Sequence, residues 1–357
     1  MKKLLGLQWA RGIAAITVVI EHAVVHPFPD VGPTVHLFGR LGVTLFFVIS
    51  GYIMVITTGT GRFDPLSFMK KRVLRVAPLY YVATGIAVLG VLIAPWAFRD
   101  TVFDIRHIVL SLLFIPTPEP GVAGSVDPFI RLGWTLNFEM FFYLVFACLF
   151  AFGIWARAIL VTVIFGVLMV IGQMFQLHAQ PIEFYTRMDT LGFVVGVWIA
   201  VLTRLDHSPL PFRLGVGIMT AAIASLAIMI AVYPQVEASL WTRVWIGATC
   251  GAMVFVFAKA PELWVRSGPP AFAYLGDASY AMYLFHMFVV GAVTVVGLRL
   301  LPDGLGIVIV AMASIGGVAI GIFAYQFVEK PTTRLIRLGT DGRRTPPVAA
   351  AKESAAP

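Results

Sequence analysis

Three ionisable residues stand inside a stretch otherwise apolar enough to cross a bilayer: Arg11, Glu21 and His22, in LLGLQWARGIAAITVVIEHAVV at residues 4–25. A histidine can take a proton from a hydroxyl near neutral pH, because its ordinary pKa of about 6.5 leaves the neutral imidazole available. An arginine offers a planar fork that matches phosphate oxygens. Arg11 and His22 are eleven residues apart, which on a helix is three turns plus about 20° and a rise of roughly 16 Å. They therefore point the same way at different depths and can serve one channel. Ionisable groups within a span cost about 2.5 to 3.5 kcal/mol each on insertion scales, so they usually face a cavity lined by water or protein. The plainer reading has Arg11 snorkelling to one interface while Glu21 and His22 sit at the other. Glu21 lies about 100° around the helix from His22, a poor position for orienting that imidazole, so an acidic orienter is expected from another helix.

A second buried charge is expected at Glu139, about five residues inside its span, with Tyr143 one turn further on the same face. Arg72 and Arg75 are three apart on one helix face. With Lys70 and Lys71 they also read as an ordinary basic cluster against anionic lipid, worth about 1 kcal/mol per charge. Ser279, Tyr283 and His286 share another face, and His286 reads as a structural histidine hydrogen-bonded between helices. Glu329 is placed to meet the arginines. Gly42, Ser50 and Gly51 most simply allow close helix approach. The two cysteines, Cys148 and Cys250, lie in apolar segments and read as small buried hydrophobes. No metal site is expected.

The elements that must position these residues are transmembrane helices. With 59% hydrophobic residues, 12% charged and a mean hydropathy of +0.90, the 357 residues cannot hide their apolar side chains in a water-soluble domain. Apolar runs near the roughly 20 residues a span requires recur from end to end. They predict an all-α polytopic bundle of about ten helices, at about 4–25, 41–58, 76–96, 134–153, 156–177, 189–203, 212–232, 241–258, 276–298 and 304–327. The run 108–115 is too short to span and reads as an interfacial or re-entrant piece of the loop 99–133. The first span keeps polar residues and lacks a cleavage pattern, so it reads as a retained helix.

With the N-terminus inside, 18 basic residues face the cytoplasm and 7 the outside, the sign the positive-inside rule requires. Both termini are therefore expected in the cytoplasm. The net charge of +8 is largely this bias, and a nucleic-acid partner is unneeded to explain it. Residues 339–357 are too polar and Pro/Ala-rich to pack, and read as a disordered cytoplasmic tail after a membrane domain at 1–338.

Six motifs occur in order: LQWARGIAAITVVIEH, GRLGVTLFFVISGYIM, FMKKRVLRVAPLYY, GWTLNFEMFFY, YLGDASYAMYLFH and FVEKP. The series, from about Leu7 to Pro331, resembles the membrane-bound acyltransferase family 3, most closely its exopolysaccharide acetyltransferase branch. Trp9 and Ala10 depart from the apolar residues many members have before the arginine. The resemblance implies a bacterial inner-membrane enzyme that moves an acyl group, usually acetyl, from cytoplasmic acyl-coenzyme A (acetyl-CoA) to a hydroxyl of a carbohydrate or glycolipid. It implies His22 as the base, Arg11 on the donor's phosphates or pantetheine carbonyl, Arg72 and Arg75 on coenzyme A phosphates, and Glu139 paired with Arg11 or His22. Membrane lipids and a second copy of the chain, as a homo-oligomer, complete the expected partners.

Two other classes compete on composition. A proton-coupled transporter also buries Arg, Glu and His, but predicts inverted repeats with paired broken helices, and none is visible. A lipid-scaffold protein needs no aligned Arg and His. The acceptor glycan stays open, as does the choice between direct transfer and an acetylated His22, since both need the same imidazole in the same place.

Overall fold

The computed structural model describes residues 5–95, 101–175, 182–206, 208–236, 239–259, 270–302 and 304–341. Lys2, Lys3, Arg99, Arg266 and the tail from 342 onward lie outside them. Among the described residues the fold is helical without strands: α1 (Leu5–Val25), α2 (Pro33–Thr58), α3 (Pro65–Ile93), α4 (Ile105–Leu112), α5 (Trp134–Cys148), α6 (Ile154–Phe175), α7 (Ile182–Tyr185), α8 (Leu191–Leu205), α9 (Phe212–Val236), α10 (Leu240–Lys259), α11 (Pro270–Leu300), α12 (Gly306–Ala324) and α13 (Lys330–Asp341). A π-turn at Tyr325–Glu329 joins the last two.

Eight described segments are long and apolar enough to cross a membrane: Pro33–Thr58, Pro65–Ile93, Ile154–Phe175, Ile182–Leu205, Phe212–Val236, Leu240–Lys259, Pro270–Leu300 and Gly306–Ile336. The chain is a multi-pass membrane protein. The other two expected spans are helices in the expected places. However, α1 is diluted by its polar residues and α5, at 15 residues, is shorter than the hydrocarbon core demands. The short run in the long loop is the eight-residue α4. Asp104 starts that helix by accepting from the His107 amide at 2.6 Å.

The polar helix α1 is kept from lipid by its neighbours, packing against α2, α10, α11 and α12. Its approach to α11 is close enough that a Cβ on Gly276 would collide with the Gln8 carbonyl, and α8 meets α2 as closely where Gly196 faces Val48. Small residues let backbones meet where hydrophobic driving force between helices is absent. At the end of α2, buried Arg157 donates to Thr58 Oγ1 (2.9 Å), Gly59 O (2.7 Å) and Gly61 O (3.0 Å), and Arg204 donates to Ile56 O at 2.9 Å. Arg204 thereby satisfies a carbonyl that the helix end leaves unpaired, and Arg157 holds the chain that follows it. Gly59, at φ +78°, supplies the left-handed step that turns the chain toward α3. Cys250 is buried and Cys148 exposed, and both are free thiols, so the expectation of burial holds for the first and not the second.

Candidate active site

Two cavities occupy opposite ends of the bundle. One, of about 240 Å³, is built from the first half of α1 (Gln8, Arg11), the second half of α2, the first half of α3 (Arg72, Arg75), α5 (Glu139, Tyr143) and α11 (Tyr280, Tyr283). The other, of about 540 Å³, takes the last turns of α1 (Glu21, His22), the first turns of α2 (His36, Arg40), Trp134, Gln173, Arg187, Asp189, Arg243 and again Tyr283. Because successive helices run in opposite directions, residues from the start of one and the end of the next meet at the same level. Val43, Phe47 and Tyr283 line both cavities, so the two meet at a shared wall.

In the arginine cavity Glu139 Oε1 accepts from Ser50 Oγ at 3.0 Å and from the Tyr143 hydroxyl. Ser50 is therefore a partner for this carboxylate as well as a small residue in a helix contact. Arg72 Nη2 donates to Thr57 Oγ1 at 3.1 Å, and its guanidinium lies over the rings of Phe68 (5.5 Å) and Tyr143 (5.9 Å). The charged neighbours of the Arg11 guanidinium are Arg75, Glu329, Glu139 and Asp277. Glu329 is thus a charged neighbour of Arg75 and Arg11, and its buried Oε2 has no hydrogen-bond partner among the described residues. Among the described residues the buried Arg72 Nε and Gln8 Oε1 have no hydrogen-bond partner, although both residues line the cavity. A donor and an acceptor left unmatched in a cavity are groups a ligand can satisfy. Lys70 and Lys71 are exposed and do not line it.

The histidine cavity overturns one expectation. Glu21 does reach the neighbouring imidazole: His22 Nδ1 lies 2.9 Å from Glu21 Oε2 and 2.9 Å from Val18 O. A 100° offset separates the two Cβ directions, but the glutamate side chain is long enough to fold back across it. The other carboxylate oxygen, Oε1, meets His36 Nδ1 at 3.1 Å, so one buried glutamate is held between two histidines. With both acceptors at Nδ1, the neutral His22 carries its proton there and leaves the Nε2 lone pair free. The His286 ring packs edge-on against His22 with centroids 5.1 Å apart. His286 is not the inter-helix tie expected of it: Nδ1 bonds the Met282 carbonyl of its own helix at 2.9 Å, and the buried Nε2 has no hydrogen-bond partner among the described residues.

The profile of the acyltransferase domain of family 3 matches residues 4–326. The chain belongs to this acyltransferase family. It is similar to the exopolysaccharide production protein ExoZ of Rhizobium meliloti (strain 1021), 33% identical over 300 residues that cover 83% of this chain and 90% of the relative. It is also similar to Staphylococcus aureus proteins whose names describe an O-acetyltransferase, for example in strains COL and N315, each 22% identical over 330 residues. Those alignments cover 82% of this chain but 52% of the relatives, so the chain spans about half their length. No solved structure matches. The family makes the protein a membrane-embedded O-acyltransferase.

Within this acyltransferase fold, Arg11, Arg72, Arg75 and Glu139 come together, and His22 stands apart in the adjoining cavity. Glu139 meets Ser50 and Tyr143 and makes no contact with His22 among the described residues, so of its two expected partners only Arg11 is a neighbour. His36 and Tyr283 were not singled out as site residues by sequence reasoning. The tyrosine hydroxyl, held by Thr135 Oγ1 at 2.8 Å and Leu132 O at 2.9 Å, fixes a ring in the wall between the cavities. Its motif was a usable signal, whereas His36 carried none. Among the described residues no group of His, Cys, Asp and Glu could hold a metal ion.

Proposed function

We propose that this O-acyltransferase moves an acetyl group from cytoplasmic acetyl-CoA to a hydroxyl of a cell-surface or exported polysaccharide, or of its glycan precursor, in the bacterial inner membrane. The observation that carries this reading is the pair of cavities meeting at Val43, Phe47 and Tyr283, one lined by Arg11, Arg72 and Arg75 and the other holding His22 with its Glu21 partner. The donor and the acceptor then occupy adjoining chambers with one shared wall.

The Arg11 cavity takes the thioester end of the donor. Arg72 and Arg75, nearer the mouth, hold coenzyme A phosphates through charge-assisted hydrogen bonds. Arg11, deeper on α1, steadies the pantetheine arm or the thioester carbonyl, and Glu139 offsets the local excess of positive charge. In the neighbouring chamber His22 Nε2 takes the proton of the acceptor hydroxyl as its oxygen attacks the thioester carbon. The C–S bond then breaks, and the imidazolium returns its proton to the departing thiolate. Glu21 keeps Nδ1–H oriented and balances the imidazolium while it exists, the role of a buried carboxylate behind a catalytic histidine.

The test is purified full-length protein incubated with radiolabelled acetyl-CoA, with and without candidate glycans. His22→Ala should insert normally, bind acetyl-CoA and lose transfer by about 10² to 10⁴. Arg11→Lys should fail as well, because the charge persists while the planar fork is lost. Transfer by His22→Ala at the parental rate would make His22 a structural residue and move the search for a base to His286. Label retained on His22 after rapid denaturation at neutral pH in the absence of glycan would replace direct transfer with an acetyl-histidine route.

A further inference from the structure

Two buried polar atoms in the arginine cavity are of opposite kind and neither is matched. Among the described residues Gln8 Oε1 and Arg72 Nε make no hydrogen bond, and both side chains line the cavity. The oxygen only accepts and the nitrogen only donates. Buried polar groups are otherwise hydrogen-bonded, so each atom marks a place for a partner from outside the chain. The rest of the Arg72 guanidinium is held: Nη2 donates to Thr57 Oγ1 at 3.1 Å, and the group lies over the rings of Phe68 and Tyr143. Gln8 stands three residues before Arg11 on α1, on the same side and about 4.5 Å nearer the start of the helix. Ile49, Ile53, Met54 and Val76 add apolar surface to the lining. At about 240 Å³, the space is below the roughly 300 Å³ at which sites for whole drug-sized molecules begin, so it takes a slender chain. That chain must be largely apolar, with an N–H for Gln8 and a carbonyl for Arg72. Secondary amides supply both and, being neutral, call on no excess of charge.

We propose that Gln8 and Arg72 form an amide-reading subsite for the pantetheine arm of the donor, in which Gln8 Oε1 accepts from the amide N–H nearer the sulfur and Arg72 Nε donates to the carbonyl of the amide nearer the phosphate. The inference rests on the acyl-transfer reading above and adds how the donor's arm is recognised. The ethyl linker between the inner amide nitrogen and the sulfur spans about the single helical turn that separates Gln8 from Arg11. Gln8 therefore reads the arm while Arg11 stands at the thioester. Arg72 holds a phosphate through its terminal nitrogens and the adjacent carbonyl through Nε. Coenzyme A and an acyl carrier protein present the same arm, and the subsite sees only what they share.

The full-length protein in nanodiscs is tested with S-acetyl-N-acetylcysteamine, which keeps the inner amide, and with its ester analogue, in which oxygen replaces that N–H. Displacement of radiolabelled S-acetylpantetheine and acetyl transfer are both read. The ratio between the two donors is taken within each variant, so a loss of folded protein common to both drops out. The parent protein should prefer the amide by about tenfold or more, in KM rather than kcat, because the ester sets a lone pair against Gln8 Oε1 and leaves it unpaired. That preference should collapse toward unity in Gln8→Met and persist in Gln326→Met, an exposed glutamine that does not line the cavity. The advantage of S-acetylpantetheine, which adds the outer amide and carries no phosphate, over S-acetyl-N-acetylcysteamine should shrink in Arg72→Lys. Acetyl-CoA and an acetylated carrier protein run side by side identify the source of the arm. Equal binding and equal use of amide and ester would overturn the subsite, assign the two atoms to buried water and leave acyl transfer intact. A preference that survives Gln8→Met would overturn it as well. Absence of transfer from every donor, with displacement still selective for the amide and dependent on Gln8, would overturn the acyl-transfer reading and keep the subsite.

Discussion

Glu21 changes what His22 can be asked to do. A carboxylate bonded at Nδ1 favours the tautomer with a free Nε2 and stabilises the cation formed when that nitrogen takes a proton. Glu21→Gln preserves size and much of the hydrogen bonding while removing the charge, so kcat should fall about 10- to 10³-fold with acetyl-CoA affinity unchanged, as measured by steady-state kinetics beside equilibrium binding. His36→Ala removes one of the two groups on the carboxylate, and its smaller loss in kcat should be largely absorbed when the Glu21→Gln background is used in a double-mutant cycle. Purely additive losses would show that His36 acts elsewhere. The arginine cavity makes a different prediction. Replacing Arg72 and Arg75 with Gln should weaken acetyl-CoA binding at least tenfold more than replacing Lys70 and Lys71, although each pair carries the same charge, because only the arginines line the cavity. Equal losses would assign the whole cluster to lipid.

At the scale of elements, the end of α2 is where stability is most exposed to a single change. Arg157 is 1% exposed and holds three oxygen acceptors between Thr58 and Gly61 while lying over the rings of Phe63 and Phe146. Arg157→Met should cost about 2 to 4 kcal/mol, since three hydrogen bonds to a charged donor are lost together, and should appear as lower membrane abundance and a lower unfolding temperature. Arg213→Gln, at an exposed site, should change either by less than the roughly 0.5 kcal/mol typical of surface substitutions. Gly276→Ala is the matching test of helix approach. A methyl there meets the Gln8 carbonyl, so α11 must move away from α1, which carries Arg11 and His22, and transfer should fall even where the protein still inserts.

For the whole molecule, the two cavities have a direction only if the bundle has one. From the charge bias we propose that the Arg11 cavity lies at the cytoplasmic end and the His22 cavity at the outer end, with both termini inside. Reporter fusions at residue 341 should read as cytoplasmic, and fusions in the loop at 115–125 as external. A C-terminal reporter active only outside would invert the route proposed for donor and acceptor.

Hydropathy and charge in the sequence determined that the chain is a polytopic helical bundle, because apolar length and the cost of buried charge are local properties. They placed helices at all ten expected positions, although α1 and α5 fall short as spans by polarity and by length. Spacing along a helix made Arg11 and His22 a pair on one face, and the motif series pointed to Arg72, Arg75 and Glu139. What lies across from each face was not legible, since the rotation and neighbours of a helix are set by packing with segments distant in sequence. Only the tertiary structure brought His36 from α2 to Glu21, gave Glu139 to Ser50 and Tyr143, set His286 against His22, and divided one expected channel into two chambers at Val43, Phe47 and Tyr283. Glu21 itself was misjudged from the backbone angle alone: Cβ directions are fixed by the helix, but where a four-bond side chain ends is decided by what surrounds it.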